Sequence, residues 1–183
     1  AKVEFADVSL SLFRSFPRAY VSVDELLITN FEPFDGETFV SAKNIAFTMS
    51  VKELFKNADE EPIVVNSIAI DEALLTLKTD ALGNTNWDIA KTDATETSTV
   101  SKDTTSSSFS FDIEYYSVEN SALSYIDEIS KTQMYITELN HSGKGTFSAE
   151  KSELDTHTDA HVSMIIDSTQ YLDNNNIILD ALI

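Results

Sequence analysis

The sequence contains no cysteine. Disulfide frameworks, thiolate zinc sites and thiol catalysis are therefore excluded, although the absence does not fix the compartment. Basic residues are also scarce. Twelve Lys and Arg stand against 31 Asp and Glu, a formal net charge of -19. Such a balance argues against nucleic acid as a partner, because phosphate binding needs clustered cations. It argues equally against electrostatic docking on an anionic membrane surface. No apolar run approaches the roughly 20 residues that span a bilayer, and no signal peptide is visible. Only four glycines and three prolines punctuate 183 residues.

What is present is alternation of apolar and polar side chains, the mark of half-covered strands. Val3 and Phe5 open one run; Val8, Leu10 and Leu12 continue it on the other parity, so a bulge is expected near Ala6–Asp7. Pro17 separates that run from Ala19, Val21 and Val23, and Pro33 with Asp35–Gly36 marks a turn. Ile45, Phe47, Met49 and Val51 form the cleanest alternating set, followed by a short helix near 52–57. Ile63 and Val65, then Ile68 and Ile70, change parity at Asn66–Ser67; Leu75 and Leu77 follow. Residues 80–86 read as a turn, as do Gly143-Lys144-Gly145 and Asp173–Asn176. Leu154 to Ile166 alternates without a break, and Ile177, Leu179, Ala181 and Ile183 share a last face.

Roughly nine to eleven strands, joined mostly by tight connections rather than helical stretches, argue against βαβ units. The expected fold is all-β and mainly antiparallel: a long, twisted and curved meander sheet with one apolar face. Three segments are expected, a β-rich 1–90, a Ser/Thr-rich flexible linker or loop 91–108, and a β-rich 109–183 continuing the same domain. The linker is too polar to offset its ordering entropy by burial. The chain opens and closes in strand, so it reads as a fragment of a larger protein.

Catalytic patterns are lacking. There is no G-x-S-x-G elbow and no phosphate loop. His157 and His161 are four apart; on a strand that places them about 13 Å apart, too far to share a metal. His141 is expected in an exposed loop. Acidic residues are so abundant that Asp71, Glu72, Asp127 and Glu128 read as solvated charge. Trp87, the single tryptophan, suits a plug at a sheet end. No catalytic residue, metal site or cofactor is expected.

The stretch "DALGNTNWDIA" resembles the AsmA family, whose members carry a D-x-x-G-x-x-NWD-like segment after a pair of apolar strands. Its matching positions here are Asp80, Gly83, Asn86, Trp87 and Asp88. The segments "VEFADVSLSLFRSFPRAYVSVDELLITN", "FVSAKNIAFTMSVKELF" and "YYSVENSALSYID" resemble the family in the same order. The Ser/Thr-rich linker and the acidity depart from its pattern. The resemblance implies a non-enzymatic periplasmic segment of a Gram-negative envelope protein, anchored to the inner membrane by an upstream helix. The implied role is outer-membrane biogenesis through phospholipid transport or its regulation, with other envelope proteins as further partners. It also implies kinship with the TamB and chorein-type bridge proteins. The residues expected to face lipid are Ile45, Phe47, Met49, Val51, Ile63, Val65, Ile68, Ile70, Leu75 and Leu77. The alternative is a secreted or surface β-sandwich that binds protein or glycan, with a closed core and ligand contacts on loops.

Overall fold

A computed structural model describes residues 1–56, 63–88, 109–147 and 152–183. Their strands, in chain order, are β1 (Lys2–Glu4), β2 (Asp7–Ser15), β3 (Arg18–Thr29), β4 (Thr38–Ser50), β5 (Ile63–Thr79), β6 (Phe109–Asp127), β7 (Thr132–Phe147), β8 (Ser152–Ile166) and β9 (Thr169–Leu182). One short 3-10 turn, Val51–Phe55, follows β4. The expected linker at 91–108 lies outside the described residues, as does the end of the expected helix at 57.

All nine strands lie in a single sheet of order β1-β3-β4-β5-β6-β7-β8-β9, with β2 pairing β3 beyond β1. A break between β1 and β2 falls at Phe5–Ala6, beside Ala6–Asp7, where a bulge within one strand is expected from the sequence. Every pair is antiparallel except β5 with β6, which run parallel. The meander is therefore interrupted once, because a parallel partner needs a long crossover rather than a tight turn. The sheet is curled. Arg18 at the start of β3 forms two hydrogen bonds, 2.7 and 2.9 Å, with Glu114 of β6, although β4 and β5 lie between them in the strand order. In a flat sheet those strands would stand about 14 Å apart.

The sheet has one layer. Each strand packs mainly on its neighbours, and the 3-10 turn touches β3 and β4 and, through Glu53, the Val64 N–H of β5. Few apolar side chains among the described residues are buried, and four of them are alanines: Ala19, Ala42, Ala46 and Ala160. No large apolar side chain among the described residues is fully buried. Among the described residues the two sheets that a sandwich requires are not formed.

A line of irregularity crosses the strands at one level. Glu25 of β3, Glu72 of β5, Asn120 of β6 and Glu138 of β7 all have positive φ, between 48 and 54°. Lys43 of β4 lies at the same level, between the pairs Ala42↔Ala73 and Asn44↔Asp71. Non-glycine residues adopt this conformation rarely, and within a strand it marks a bulge. Each bulge inserts one residue, so the side chains that face one way change from odd to even or the reverse. Neighbouring strands change together, so pairing survives on both sides of the line. The line ends at β7, where Thr137 to Asn140 oppose only His161 to Asp159 of β8.

Four expectations about the chain path are corrected. Gly143-Lys144-Gly145 is not a turn but lies inside β7. Its glycines permit close approach: a Cβ on Gly143 would stand 2.3 Å from Tyr116, and one on Gly145 2.1 Å from the Glu153 carbonyl oxygen. Asp173–Asn176 is not a turn either; β9 runs through it with a bulge at Asn174, and the chain reverses earlier, at Asp167–Ser168. His141 is in β7 rather than in a loop. Val51 is not the last residue of the strand carrying Ile45, Phe47 and Met49. β4 ends at Ser50, whose hydroxyl accepts from the Lys52 N–H and starts the 3-10 turn.

Candidate functional site

Cross-strand partners share a face of the sheet, so the pairing register assigns each side chain to one side. The regular strand β8 is the reference, because its even residues from Thr156 to Met164 lie on one face. Thr156 pairs with Gly143, then Tyr116, Ile68, Phe47, Val21 and Leu10. Thr158 leads likewise to His141, Val118, Ile70, Ile45, Val23 and Val8. Beyond the bulge line, Val162 leads to Ile136, Leu123, Leu75, Val40, Ile28 and Val3. Met164 leads to Met134, Tyr125 and Leu77, and on its other side to Leu172. These four rows form one apolar face of the curled sheet, and they keep to it only because the bulges shift every strand's parity together.

Most members of these rows are partly exposed, and residues of the outer strand β2 more so: Val8 and Leu10 are 51% and 56% exposed. Among the described residues no second sheet and no α-helix packs across them. Covering a side chain of this size gains about 1.5–3 kcal/mol, so an uncovered face of this extent favours an apolar occupant.

Of the ten residues expected to face lipid, six lie together in these rows: Ile45, Phe47, Ile68, Ile70, Leu75 and Leu77. Met49 and Val65 are instead buried, 8% and 3% exposed. Ile63 opens β5, paired with Phe109. Val51 falls in the 3-10 turn. Val118, Leu123, Ile136 and Met134 belong to the same face but were absent from the expected set. Alternation alone cannot join strands across a bulge; only the register does.

The opposite face is small and polar. Ser22, Ala46, Ala69, Ser117 and Ser142 form one of its rows. Asp24, Asn44, Asp71 and Glu119 form the next. Asn44 Nδ2 donates to Asp24 (2.7 Å), and Asn120 Nδ2 to Asp71 (2.9 Å). Lys43 pairs with Glu72, which holds its ammonium above the ordinary lysine range. His157 bonds Asp180 at 2.6 Å, on this polar side of β8.

The loop after β5 carries the five motif residues. Asp80 ties it: its carboxylate accepts from the N–H groups of Leu82 and Asn84 and from Asn84 Nδ2. These bonds, the Asn84 side chain first, hold Asp80 below the ordinary aspartate range. Gly83 takes φ +89°, which suits glycine. Asn86 is 2% exposed. Its Oδ1 accepts from the Lys78 N–H (2.8 Å), its Nδ2 donates to the Thr76 carbonyl (2.7 Å), and its own carbonyl accepts from Asn30 Nδ2 (2.6 Å). The loop is thereby fastened both to β5 and to the β3–β4 connection, where Phe34 is buried. Trp87, expected as the plug, is 40% exposed, and Asp88 is exposed; Asn86 occupies the closed position.

No helix among the described residues is long and apolar enough to cross a membrane. A model of the AsmA family matches residues 6–168. Among curated proteins and among solved structures, nothing matches the chain significantly.

Proposed function

The chain belongs to the AsmA family, whose membership supports an envelope-associated role, and from that premise we propose that it carries phospholipid acyl chains on its apolar face as part of outer-membrane biogenesis. The reading places the chain in the periplasm, anchored to the inner membrane through a segment outside this sequence, and gives it no catalytic step. The observation that carries it is the set of four apolar rows on a one-layer sheet, open among the described residues. Acyl chains gain about 0.8 kcal/mol per buried methylene, so a sixteen-carbon chain gains on the order of 12 kcal/mol before costs. Release into water would be slow. Sliding along the apolar stretches of these rows would cost little, because successive positions there offer similar apolar surroundings.

The test is binding of a fluorescent-tailed phospholipid by the purified, delipidated chain. Wild type should enhance fluorescence saturably. Phe47→Asp with Ile70→Asp, diagonal neighbours in two adjacent rows of the face, should weaken binding at least about tenfold, since each removes apolar cover worth more than about 1.4 kcal/mol. Ser142→Asp on the opposite face should not. Equal loss from both faces, or no binding by wild type, would overturn the reading.

A further inference from the structure

The apolar face holds one polar island. In the two rows above the bulge line, apolar side chains run from β2 to β5 and then give way, at β6 to β8, to Tyr116, Gly143 and Thr156, and to His141 and Thr158. Below the line the rows stay apolar through Val162 and Met164. The island is thus bordered by Ile68 and Ile70 on one side and by Leu123, Ile136 and Val162 on another.

Three of its side chains form a chain of hydrogen bonds. The Tyr116 hydroxyl lies 2.8 Å from His141 Nε2, and His141 Nδ1 lies 2.8 Å from Thr158 Oγ1. The rings are 5.3 Å apart between centroids and tilted by 45°. The pose depends on Gly143, since a Cβ there would stand 2.3 Å from the Tyr116 ring. Burial pushes the Tyr116 phenol above its ordinary range, so it stays protonated.

Proton counting shows what this chain can offer. With a neutral imidazole it holds three donor protons and uses two internally. If Tyr116 donates to Nε2, the Thr158 hydroxyl proton is spare. In the other tautomer the Tyr116 proton is spare. With a protonated imidazole both ring N–H groups donate inward, so both hydroxyl protons are spare and a positive charge sits between them. The groups facing His141 from neighbouring strands are Tyr116 and Val118 of β6 and Thr156 and Thr158 of β8. Tyr116 is the one titratable group among them. Asp155, His157 and Asp159 of β8 alternate to the other face.

We propose that Tyr116, His141 and Thr158 bind the anionic phosphodiester headgroup of a phospholipid whose acyl chains lie on the bordering apolar rows. The proposal rests on the acyl-binding reading above and adds to it a fixed position for the polar end of the cargo. An anion with several acceptor oxygens takes the spare hydroxyl protons. Its bound form favours the protonated imidazole, because charge-assisted hydrogen bonds are the stronger ones.

The test uses the full chain with three probes: dioctanoyl phosphatidylglycerol, dioctanoylglycerol and inorganic phosphate. The readouts are affinity and the imidazole ¹⁵N resonances of His141. Phosphatidylglycerol should shift those resonances toward the protonated form, while dioctanoylglycerol and phosphate should not. His141→Phe should weaken phosphatidylglycerol binding about tenfold, because it removes the positive charge that sits between the two donating hydroxyls, and leave dioctanoylglycerol binding unchanged. Tyr116→Phe, which keeps the ring over Gly143, should give a smaller loss in the same direction. The preference for phosphatidylglycerol should grow as pH falls through the imidazole range. An unchanged preference in both variants, equal loss of both lipids, a preference flat with pH, or phosphate acting as strongly as the lipid would each overturn the proposal. Failure of wild type to bind either lipid would instead remove the acyl-binding reading on which it stands.

Discussion

Replacing Asn86 by Ala removes the side chain that fastens the loop to the sheet. The deletion strands the Lys78 N–H and the Thr76 carbonyl, which now bond its amide at 2.8 and 2.7 Å. With the site only 2% exposed, water cannot readily replace the missing amide. Each stranded group costs about 1–3 kcal/mol, so the sum is about 4 kcal/mol. A chain of this size loses about 2–4 °C in Tm per kcal/mol, which puts the expected drop at about 8–16 °C in far-ultraviolet circular dichroism melts. Asn86→Asp sharpens the test. The carboxylate keeps an acceptor for Lys78 but turns an oxygen toward the Thr76 carbonyl, which raises its folded-state pKa above the unfolded value. The variant should therefore be least stable at neutral pH and recover as pH falls through that raised value, where the acid regains a donor. Trp87→Ala, one residue on but 40% exposed, should cost far less. A drop under about 3 °C for Asn86→Ala, or no acid recovery in Asn86→Asp, would refute the assignment of the loop's anchoring to this amide.

Gly143→Ala should displace the Tyr116 ring and cost about 1–3 kcal/mol, seen as a lower Tm together with a changed His141 imidazole spectrum. Glu53 accepts from the Val64 N–H at 2.9 Å, and this bond holds it below the ordinary glutamate range against the opposing effect of burial. Its contribution is present above the unfolded value of about 4.3 and is lost as pH falls through the lower folded value; Glu53→Gln should flatten that part of the stability–pH curve. The outermost strand β9 exposes Ile178 and Leu179 at 63% and 55% and carries neither Lys nor Pro. Such an edge invites pairing with another strand, so Ile178→Lys should shift sedimentation profiles toward monomer.

Alternation made most strands legible because each had one apolar side: β8 from Leu154 onward and the Ile45–Met49 run of β4 both emerged with correct parity. Long strands were harder. β5 read as separate pieces, since a bulge at Glu72 places Ile70 and Leu75 on one face with opposite parity. The β7 glycines looked like a turn because sequence does not reveal that Tyr116 and Glu153 crowd them. His141 was misplaced for the same reason, and with it the polar island. In the motif, Asp80 and Gly83 explain themselves as turn chemistry. The choice between Asn86 and Trp87 as the enclosed residue depended on partners far along the chain, such as Asn30.

The aligned extra residues in β3, β5, β6 and β7 work like a dislocation line in a crystal. Deleting Glu72 alone would rotate the rest of β5 by half a turn, sending Leu75 and Leu77 to the acidic side while their neighbours stayed in place. Length changes in one strand are thus coupled to the others across the width of the sheet. β8, which needs no inserted residue, could be lengthened or shortened at its ends without that penalty. The architecture tolerates growth by whole strands at its margins far better than the addition or removal of a single residue in its middle.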